Sequence, residues 1–578
     1  MGELIPHPLF ETNPEELYEA ESSIYNAESD PFPDWVEGFR DSQVEAVEDI
    51  VNAFSDPNVR VVFLDAPTGT GKTLIGEMVR RVYSTSSNFV CSTKTLQDQF
   101  LHDFPYSRVL KGRSNYPTYS FPHRFDPGRW DGISCEDCNF TRAEGCSWCP
   151  TKSVCPYEVA KMEAASARVS ILNSSYILYE WNMQSSWFRD RPLTIIDECD
   201  TLENKIMSMV EVYISERRQK KMGIPKPEKK TVQDSWKSWV EETYNIVSRE
   251  LSYTPASSKD PKVMKERRTL SRLNDNLKIL YSGLDEGEWV YTGYNKDGSG
   301  PIIFKPVKVE EYARKYLWDK GNRFILMSAT VISPEQMAYD LGLEDHEFAS
   351  VNTGSGFDIS NRPVYVTPAA DVTRNNKRNA WPAIGSSVQN ILRMHEGDNI
   401  LVHAVSYDLT RYIVDGLIGE TDREIISYFN ASEREKALER FKKASEGTAA
   451  LIAPSMDRGV DLPGDLCRVQ VICKVPYPYL GDKQVSARLY SKGGQSWYAV
   501  ETIRSLVQMS GRAVRSKDDY ASTYILDSQF ISNVYKKNKR YIPSWWKEAL
   551  VFDGEMHKRV IGNTGNTGNT GNTSNTNA

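Results

Sequence analysis

Ala66-Pro-Thr-Gly-Thr-Gly-Lys-Thr73 is the stretch that decides the fold. Ahead of it runs Val59-Arg-Val-Val-Phe-Leu64, short, apolar and β-branched, which predicts a strand. Behind it, Leu74-Ile-Gly-Glu-Met-Val-Arg-Arg-Val-Tyr83 places apolar residues at helical spacing. Strand, glycine turn and helix form the setting in which such a turn cradles phosphates. Gly69 and Gly71 let the backbone curl so that several N–H groups point into one concavity. The helix N-terminus adds to its pull on an anion. Thr68, Gly69, Thr70 and Gly71 would line that cradle, Lys72 would reach the outer phosphates, and the Thr73 hydroxyl suits Mg²⁺. A nucleotide is the expected ligand. Its use is not fixed by the loop.

Pro192-Leu-Thr-Ile-Ile-Asp-Glu-Cys-Asp200 reads as a buried strand ending in acids. In a phosphate-loop enzyme an Asp at a neighbouring strand end holds Mg²⁺, and the next Glu orients or deprotonates the attacking water. Here those are Asp197 and Glu198. Far downstream, Gln508-Met-Ser-Gly-Arg-Ala-Val-Arg515 sets Arg512 and Arg515 three apart, on one helix face. Two such guanidiniums can bracket a phosphate, although a salt-bridged surface face fits equally well. Arg40 and Gln43, upstream of the loop, can hold an adenine or simply open a helix.

The charge is −8 but uneven. Residues 1–39 hold ten Asp or Glu and no Lys or Arg, whereas Arg217–Lys230 holds seven basic residues and one acid. That basic run reads more simply as a solvated face than as a phosphate site. No apolar run of about 18 residues predicts a membrane-spanning helix. The N-terminus lacks a basic segment followed by an apolar one, so a cytoplasmic chain without membrane partners is expected.

Five of nine cysteines fall at Cys135-x2-Cys138-x7-Cys146-x2-Cys149-x5-Cys155. In a chain without a secretory leader this pattern points to a metal, not to disulfides. Two CxxC pairs suit zinc, to which the spacing leans, and four thiolates also suit an iron–sulfur cluster. Elsewhere, Asn88–Gln97 reads as a strand ending in hydroxyls, a Lys and a Gln, Phe324–Thr330 as a strand ending in small hydroxyl residues, and Asn399–Tyr407, Ala449–Pro454 and Val469–Val475 as strands. Thr95 is a candidate cap for the helix after the first of them. Trp236, Trp239 and Trp289 lie in a charged, helix-rich stretch and read as core residues more simply than as base-stacking platforms. His403, Cys467 and Cys473 read as packing residues. The Gly-Asn-Thr repeats from Gly562 have nothing to bury and predict disorder.

Taken together, these pieces resemble superfamily-2 helicases, and within them the XPD/DinG-like iron–sulfur branch. The loop resembles motif I, Ser92-Thr-Lys-Thr95 motif Ia, and Asp197-Glu-Cys-Asp200 the DEAH box of motif II. Ser328-Ala-Thr330 looks like motif III and Val402–Tyr407 is similar to motif IV. Asp457-Arg-Gly-Val-Asp-Leu-Pro-Gly464, followed by Lys474-Val-Pro-Tyr-Pro478, is similar to motif V, and Gln508–Arg515 looks like the QxxGRxxR of motif VI.

The resemblance implies an α/β chain of two RecA-like parallel-sheet domains, the first carrying a cysteine-rich cluster insertion and a helical arch. The expected boundaries are an acidic lead-in at 1–35, a first helicase domain at 36–104, 161–200 and 311–360, and a cluster insertion at 105–160. An arch is expected at 201–310, a second helicase domain at 361–555 and a tail at 556–578. The resemblance also implies that ATP sits between the two domains, that Gly459 and Asp461 reach the nucleotide, and that Gln508 positions water or the γ-phosphate. The metal becomes a four-iron, four-sulfur cluster on four of Cys135, Cys138, Cys146, Cys149 and Cys155, with Zn²⁺ the alternative.

Two positions depart from the family. Thr118 stands after Tyr116-Pro117, where many relatives have the first cysteine. The acidic box ends Cys199-Asp200 in place of Ala-His. The expected function is an ATP-dependent DNA helicase moving 5′→3′ on single-stranded and forked DNA, in a bacterial or phage-infected cell. The alternatives are a translocase that unwinds nothing and a non-catalytic ATP clamp.

Overall fold

The computed structural model describes residues 32–33, 36, 38–83, 86–117, 134–137, 154–183, 186–228, 233–256, 260–293, 299–354, 356–373, 375–456, 460, 462–511, 514 and 519–552. The chain divides into two compact units. The first comprises the chain to Ala66, Gly71–Thr353 and Tyr479–Trp497; the second comprises Pro67–Thr70, Gly354–Pro478 and the chain from Tyr498.

In chain order the first unit contributes β1 (Val61–Asp65), β2 (Ser87–Cys91), β3 (Arg108–Val109), β4 (Val169–Asn173), β5 (Leu193–Asp197), β6 (Val212–Ile214), β7 (Trp289–Thr292), β8 (Ile302–Pro306), β9 (Arg323–Ser328) and β10 (Phe348–Asn352). Seven of these form one parallel sheet in the order β10-β1-β9-β5-β2-β4-β3. Parallel sheets are covered on both faces, which is why β1 and β5 are mostly apolar and buried along their whole length. The strand period of two splits their side chains. Val61 and Phe63 enter one core, with Ile196, while Val62 and Leu64 enter the other, with Ile195. The helix Lys72–Tyr83 buries Leu74, Ile75, Met78 and Val79 against the second core, each worth about 1.5–3 kcal/mol relative to exposure.

Two excursions leave this sheet. The first is rooted where Pro117 and Ser134 form an isolated antiparallel bridge. The second builds its own core. Helices Gln233–Tyr253 and Pro261–Glu286 pack on the antiparallel sheet β6-β8-β7. Trp236, Trp239 and Trp289 are buried there, Trp239 stacking on Phe304 at 5.2 Å between ring centres. The indole N–H groups of Trp236 and Trp239 donate to the carbonyls of Glu228 and Pro225. Core packing is therefore their role, as the simpler reading holds. In the basic run, Arg218 and Lys221 pair with Glu266 and Lys220 with Glu216.

The stretch Tyr479–Trp497 lies, in sequence, inside the second α/β pattern, yet it packs with the first unit. Its helix, Lys483–Tyr490, is held at three points. Lys483 Nζ donates to the Tyr291 carbonyl at 3.0 Å, and Gln484 Nε2 to that of Val307 at 2.9 Å. The buried Arg488 guanidinium pairs with Asp340 and, at 3.4 Å, with Glu203.

The second unit contributes β11 (Val364–Ala370), β12 (Ile400–His403), β13 (Glu424–Ser427), β14 (Ala449–Ala453), β15 (Val469–Ile472), β16 (Ser522–Asp527) and β17 (Leu550–Phe552). They form a second parallel sheet in the order β13-β14-β12-β15-β16-β11-β17. His403, Cys467 and Cys473 are buried in it as packing residues. The α/β class with two RecA-like parallel sheets is as the sequence predicts. Among the described residues no helix is long and apolar enough to cross a membrane. The lead-in before Phe32 and the tail from Asp553 lie outside the described residues.

Candidate functional site

The phosphate loop leaves the end of β1, the strand beside the edge strand β10 of the first sheet. Gly69 and Gly71 take φ of +83° and +82°, a region that side chains strain to enter. A Cβ at Gly71 would lie 2.4 Å from Gln43 Nε2, so the end of that side chain would have to shift. The buried Gln43 side chain therefore lies against the loop, and its Oε1 accepts the Arg40 N–H at 3.0 Å. Arg40 itself is exposed, as is Gly69, with Thr68 half-buried. Within the loop Thr70 Oγ1 donates to the Pro67 carbonyl at 2.8 Å. Lys72 Nζ donates to the Ala66 carbonyl at 3.3 Å, so its ammonium is turned to the loop's concave side. Thr73 opens the helix half-buried, one residue on.

Asp197 ends β5, separated from β1 only by β9. Burial raises its carboxyl pKa, the Lys72 ammonium opposes this, and Asp200 adds to the rise. An acid so placed, facing an ammonium and beside a second acid, gains from a bound cation, and its oxygen donors suit Mg²⁺. Asp197 Oδ1 accepts the Glu198 N–H at 2.9 Å. Glu198 is half-buried and left-handed, with φ of +54°, a strain of about 1–3 kcal/mol. Among the described residues the other non-glycine positive φ values belong to Ile332 and Val405. All three come after the carboxyl ends of parallel strands, β5, β9 and β12, where α/β proteins place ligands.

Asp200 is buried and accepts a hydrogen bond from Ser328 Oγ at 3.0 Å; Ser328 Oγ in turn accepts the Thr330 N–H at 3.1 Å. The acid that replaces the family's imidazole is thus tied to the Ser-Ala-Thr segment on the next strand. Sequence reasoning missed this pair, because 128 residues separate its members. At the end of β2 the helix cap is Thr93 and not Thr95: Thr93 Oγ1 accepts the Leu96 N–H at 3.3 Å, and Lys94 already begins the helix. Lys94 Nζ donates to Asn115 Oδ1 at 2.6 Å.

In the second unit Gln508 is buried on the helix Gly494–Ser510. Asp527, also missed in sequence, accepts N–H groups from Val372 at 3.1 Å, Val475 at 2.9 Å and Gln529 at 3.0 Å. It fastens the Lys474–Pro478 segment to the sheet. Gly459, Asp461, Arg512 and Arg515 lie outside the described residues, as do Cys138, Cys146 and Cys149.

Of the five clustered cysteines, Cys135 and Cys155 are described, and the fold brings them together. Both are buried and their sulfurs are 3.7 Å apart. The Cys135 thiol hydrogen-bonds Cys155 and holds its pKa down to about 6, helped by the N–H groups of Glu158 and Tyr157 at the start of the helix Pro156–Ser166 and opposed by burial. A thiol so inclined to ionise suits a soft metal. Two thiolates on one tetrahedral ion stand about 3.8 Å apart, so the pair fits a single ion as it stands. A four-iron cluster would also take its ligands as thiolates, which these two residues could supply. Among the described residues no group of three or more His, Cys, Asp or Glu is gathered for a metal.

Residues 388–549 match the helicase C-terminal domain family, and residues 37–222 match the family described as type III restriction enzyme, res subunit. The chain is similar to the ATP-dependent DNA helicase DinG of Photobacterium profundum, 24% identical over 44% of this chain and 39% of that protein. It is similar to the ATP-dependent DNA helicase CHL1 of Vanderwaltozyma polyspora, 21% identical over 25% of this chain and 20% of that protein. The matches thus span well under half the length of these relatives. A solved structure titled XPD helicase covers 89% of this chain and all of its own, with a TM-score of 0.59 and 16% identity, which is a likeness of fold. Matched by two family models in separate segments and alike in fold to a solved XPD helicase over most of its length, the chain is similar to the XPD/DinG-like superfamily-2 helicases.

Proposed function

We propose that the chain is an ATP-dependent DNA helicase that moves 5′→3′ on single-stranded DNA and opens duplex at a fork. The observation that carries this reading is the arrangement at the carboxyl end of the first sheet. The phosphate loop, the Asp197–Glu198 pair and the Asp200–Ser328 link leave three neighbouring strands. The DNA helicase names of the relatives support the substrate class, and the polarity rests on the family resemblance.

The residues divide the work. Lys72 gives up the Ala66 carbonyl for the outer phosphates, and the Thr68–Gly71 backbone holds the inner ones. Gln43, against the loop, and Arg40 take the base. Thr73 and Asp197 would hold Mg²⁺, which draws charge from the phosphates. Glu198 orients the attacking water and takes its proton. Gln508 positions that water, Arg512 and Arg515 neutralise charge on the departing phosphoryl group, and Gly459 and Asp461 attend the nucleotide. Asp200 and Ser328 pass the change in nucleotide state to the next strand. The cysteine segment would be closed by a four-iron, four-sulfur cluster, or by Zn²⁺, on Cys135, Cys155 and two of the remaining three cysteines.

DNA-stimulated ATP turnover tests the centre of this scheme. Lys72→Ala should lower kcat by about 10²–10³-fold, the cost of removing one charge-stabilising donor. Undiminished turnover would refute the site. Strand displacement confined to 3′-overhang substrates would reverse the polarity, and turnover without displacement would leave a translocase.

A further inference from the structure

The stretch Ser528–Phe552 carries Lys536, Lys537, Lys539, Arg540 and Lys547 against one acid, Glu548, in a chain of net charge −8. It lies beyond Arg515, where the segments that resemble helicase motifs end. It crosses from the carboxyl end of β16 to the amino end of β17, the edge strand beside β11. A π-helical turn, Phe530–Tyr535, leads into the short helical turns Lys536–Asn538 and Lys539–Tyr541. The inner side of this crossover is fixed. Phe530, Val534, Ile542 and Trp546 are buried. The Trp546 indole N–H donates to Ser510 Oγ at 2.7 Å, and Tyr535 meets Phe552 at 5.0 Å between ring centres. The outer side is charged, with all five cations exposed. Among the described residues none of the five forms an ion pair. In the Arg217–Lys230 run, by contrast, Arg218, Lys220 and Lys221 are paired with Glu266 and Glu216. Four cations within five residues repel one another and gain from an anion that neutralises several at once.

We propose that Lys536, Lys537, Lys539, Arg540 and Lys547 form a nucleic-acid surface of their own, one that grips the phosphates of duplex DNA without reading sequence. This rests on the DNA helicase reading, which supplies a duplex as substrate, and it adds a contact that serves neither the nucleotide nor its hydrolysis. Charge complementarity names the occupant: a duplex carries one negative charge per about 1.7 Å of its axis. The rings decide between duplex and single strand. A surface for single strands offers open aromatic faces on which bases stack. Here Arg540 lies 4.6 Å over the Tyr541 ring, Arg362 lies 5.7 Å over that of Trp545, and both rings are half-buried. What stands open is ammonium and guanidinium, which hold phosphates and leave base edges unread. The lysines at 536, 537 and 539 carry point charges on flexible stems, suited to a row of phosphates in any register.

The test is binding of a labelled, blunt-ended duplex to the full chain without nucleotide, followed by fluorescence anisotropy over a range of salt. Each phosphate contact adds about 0.9 to the slope of log affinity against log salt. Lys536→Gln, Lys537→Gln, Lys539→Gln and Arg540→Gln combined should weaken duplex binding about tenfold or more at ~0.1 M salt and flatten the slope by about 2–4. Lys536→Arg, Lys537→Arg and Lys539→Arg combined keep the charge and should bind as the wild type does. Both variants should keep the ATP turnover that a saturating single-stranded oligonucleotide stimulates. Its loss in the neutral variant would place these cations in the motor and overturn the proposal. Unchanged duplex affinity and slope in that variant would overturn it, as would a loss confined to single strands. Displacement of the duplex by polyglutamate as readily as by unlabelled duplex of equal charge would assign the surface to an acidic protein and overturn it too. Wild type that turns over no ATP would instead remove the helicase reading, while duplex binding lost in the neutral variant would still uphold the surface, a distinct result.

Discussion

The first unit carries two insertions, and their sequences supply opposite means of cohesion. Residues 201–310 bring a core: Trp236, Trp239, Leu270, Leu277 and Phe304 are buried among one another over a three-stranded sheet. Residues 118–153 bring one branched aliphatic side chain, Ile133, and four cysteines. A short segment so poor in apolar side chains has little surface to remove from water against its ordering entropy, and the proposed metal would supply that term. The longer insertion needs no such help. The two should therefore fail independently and under different insults.

The largest expected effect comes from the metal. Binding contributes about 10–16 kcal/mol in small zinc-dependent modules, so its loss should release the whole segment. Limited proteolysis of Cys155→Ser should cut within 118–153 while the fragment containing 201–310 survives. Cleavage in both at once would break the contrast. Next, Leu277→Ala empties a buried site in the arch and should cost about 2–5 kcal/mol. The arch should then lose protection from amide exchange while the metal content stays at wild type. A fall in metal would mean that the two insertions share one cooperative unit.

The smallest effect is one of pH. With its thiol lowered to about 6, Cys155 is mainly thiolate above that pH and mainly thiol below it. In metal-free protein its alkylation should rise through pH 6 and level off by about pH 7. Cys467, pushed up to about 12 by burial, should stay unreactive across the same range. An ordinary midpoint near about 8.5 for Cys155 would remove the case for a prepared thiolate.

How legible these features were depends on how far apart in sequence their parts lie. The phosphate loop and the Asp197–Glu198 pair were readable because each is complete within a few residues. The tryptophans were readable as core because burial is the commoner use of so large an apolar side chain. The Thr93 cap was missed by two places, since Thr93 and Thr95 differ only in which begins the helix. Asp200 looked like a defect in its box because its partner, Ser328, is on another strand. Asp527 was invisible because its three donors are backbone groups from three segments, and sequence carries no mark of a backbone N–H that needs an acceptor.

Arg488 has a consequence for synthesis. The ribosome makes Glu203 and Asp340 long before it makes the guanidinium that neutralises them. Until then two carboxylates that end up against Arg488 wait in an unfinished first unit, and most of the second sheet's strands emerge meanwhile. The first unit thus cannot be completed in the order in which it is translated. A fragment ending at Thr353, which would look like a whole domain, lacks its closing ion pair. Removing one partner of a buried pair costs about 3–5 kcal/mol, enough to leave such a nascent fragment dependent on residues translated more than a hundred positions later.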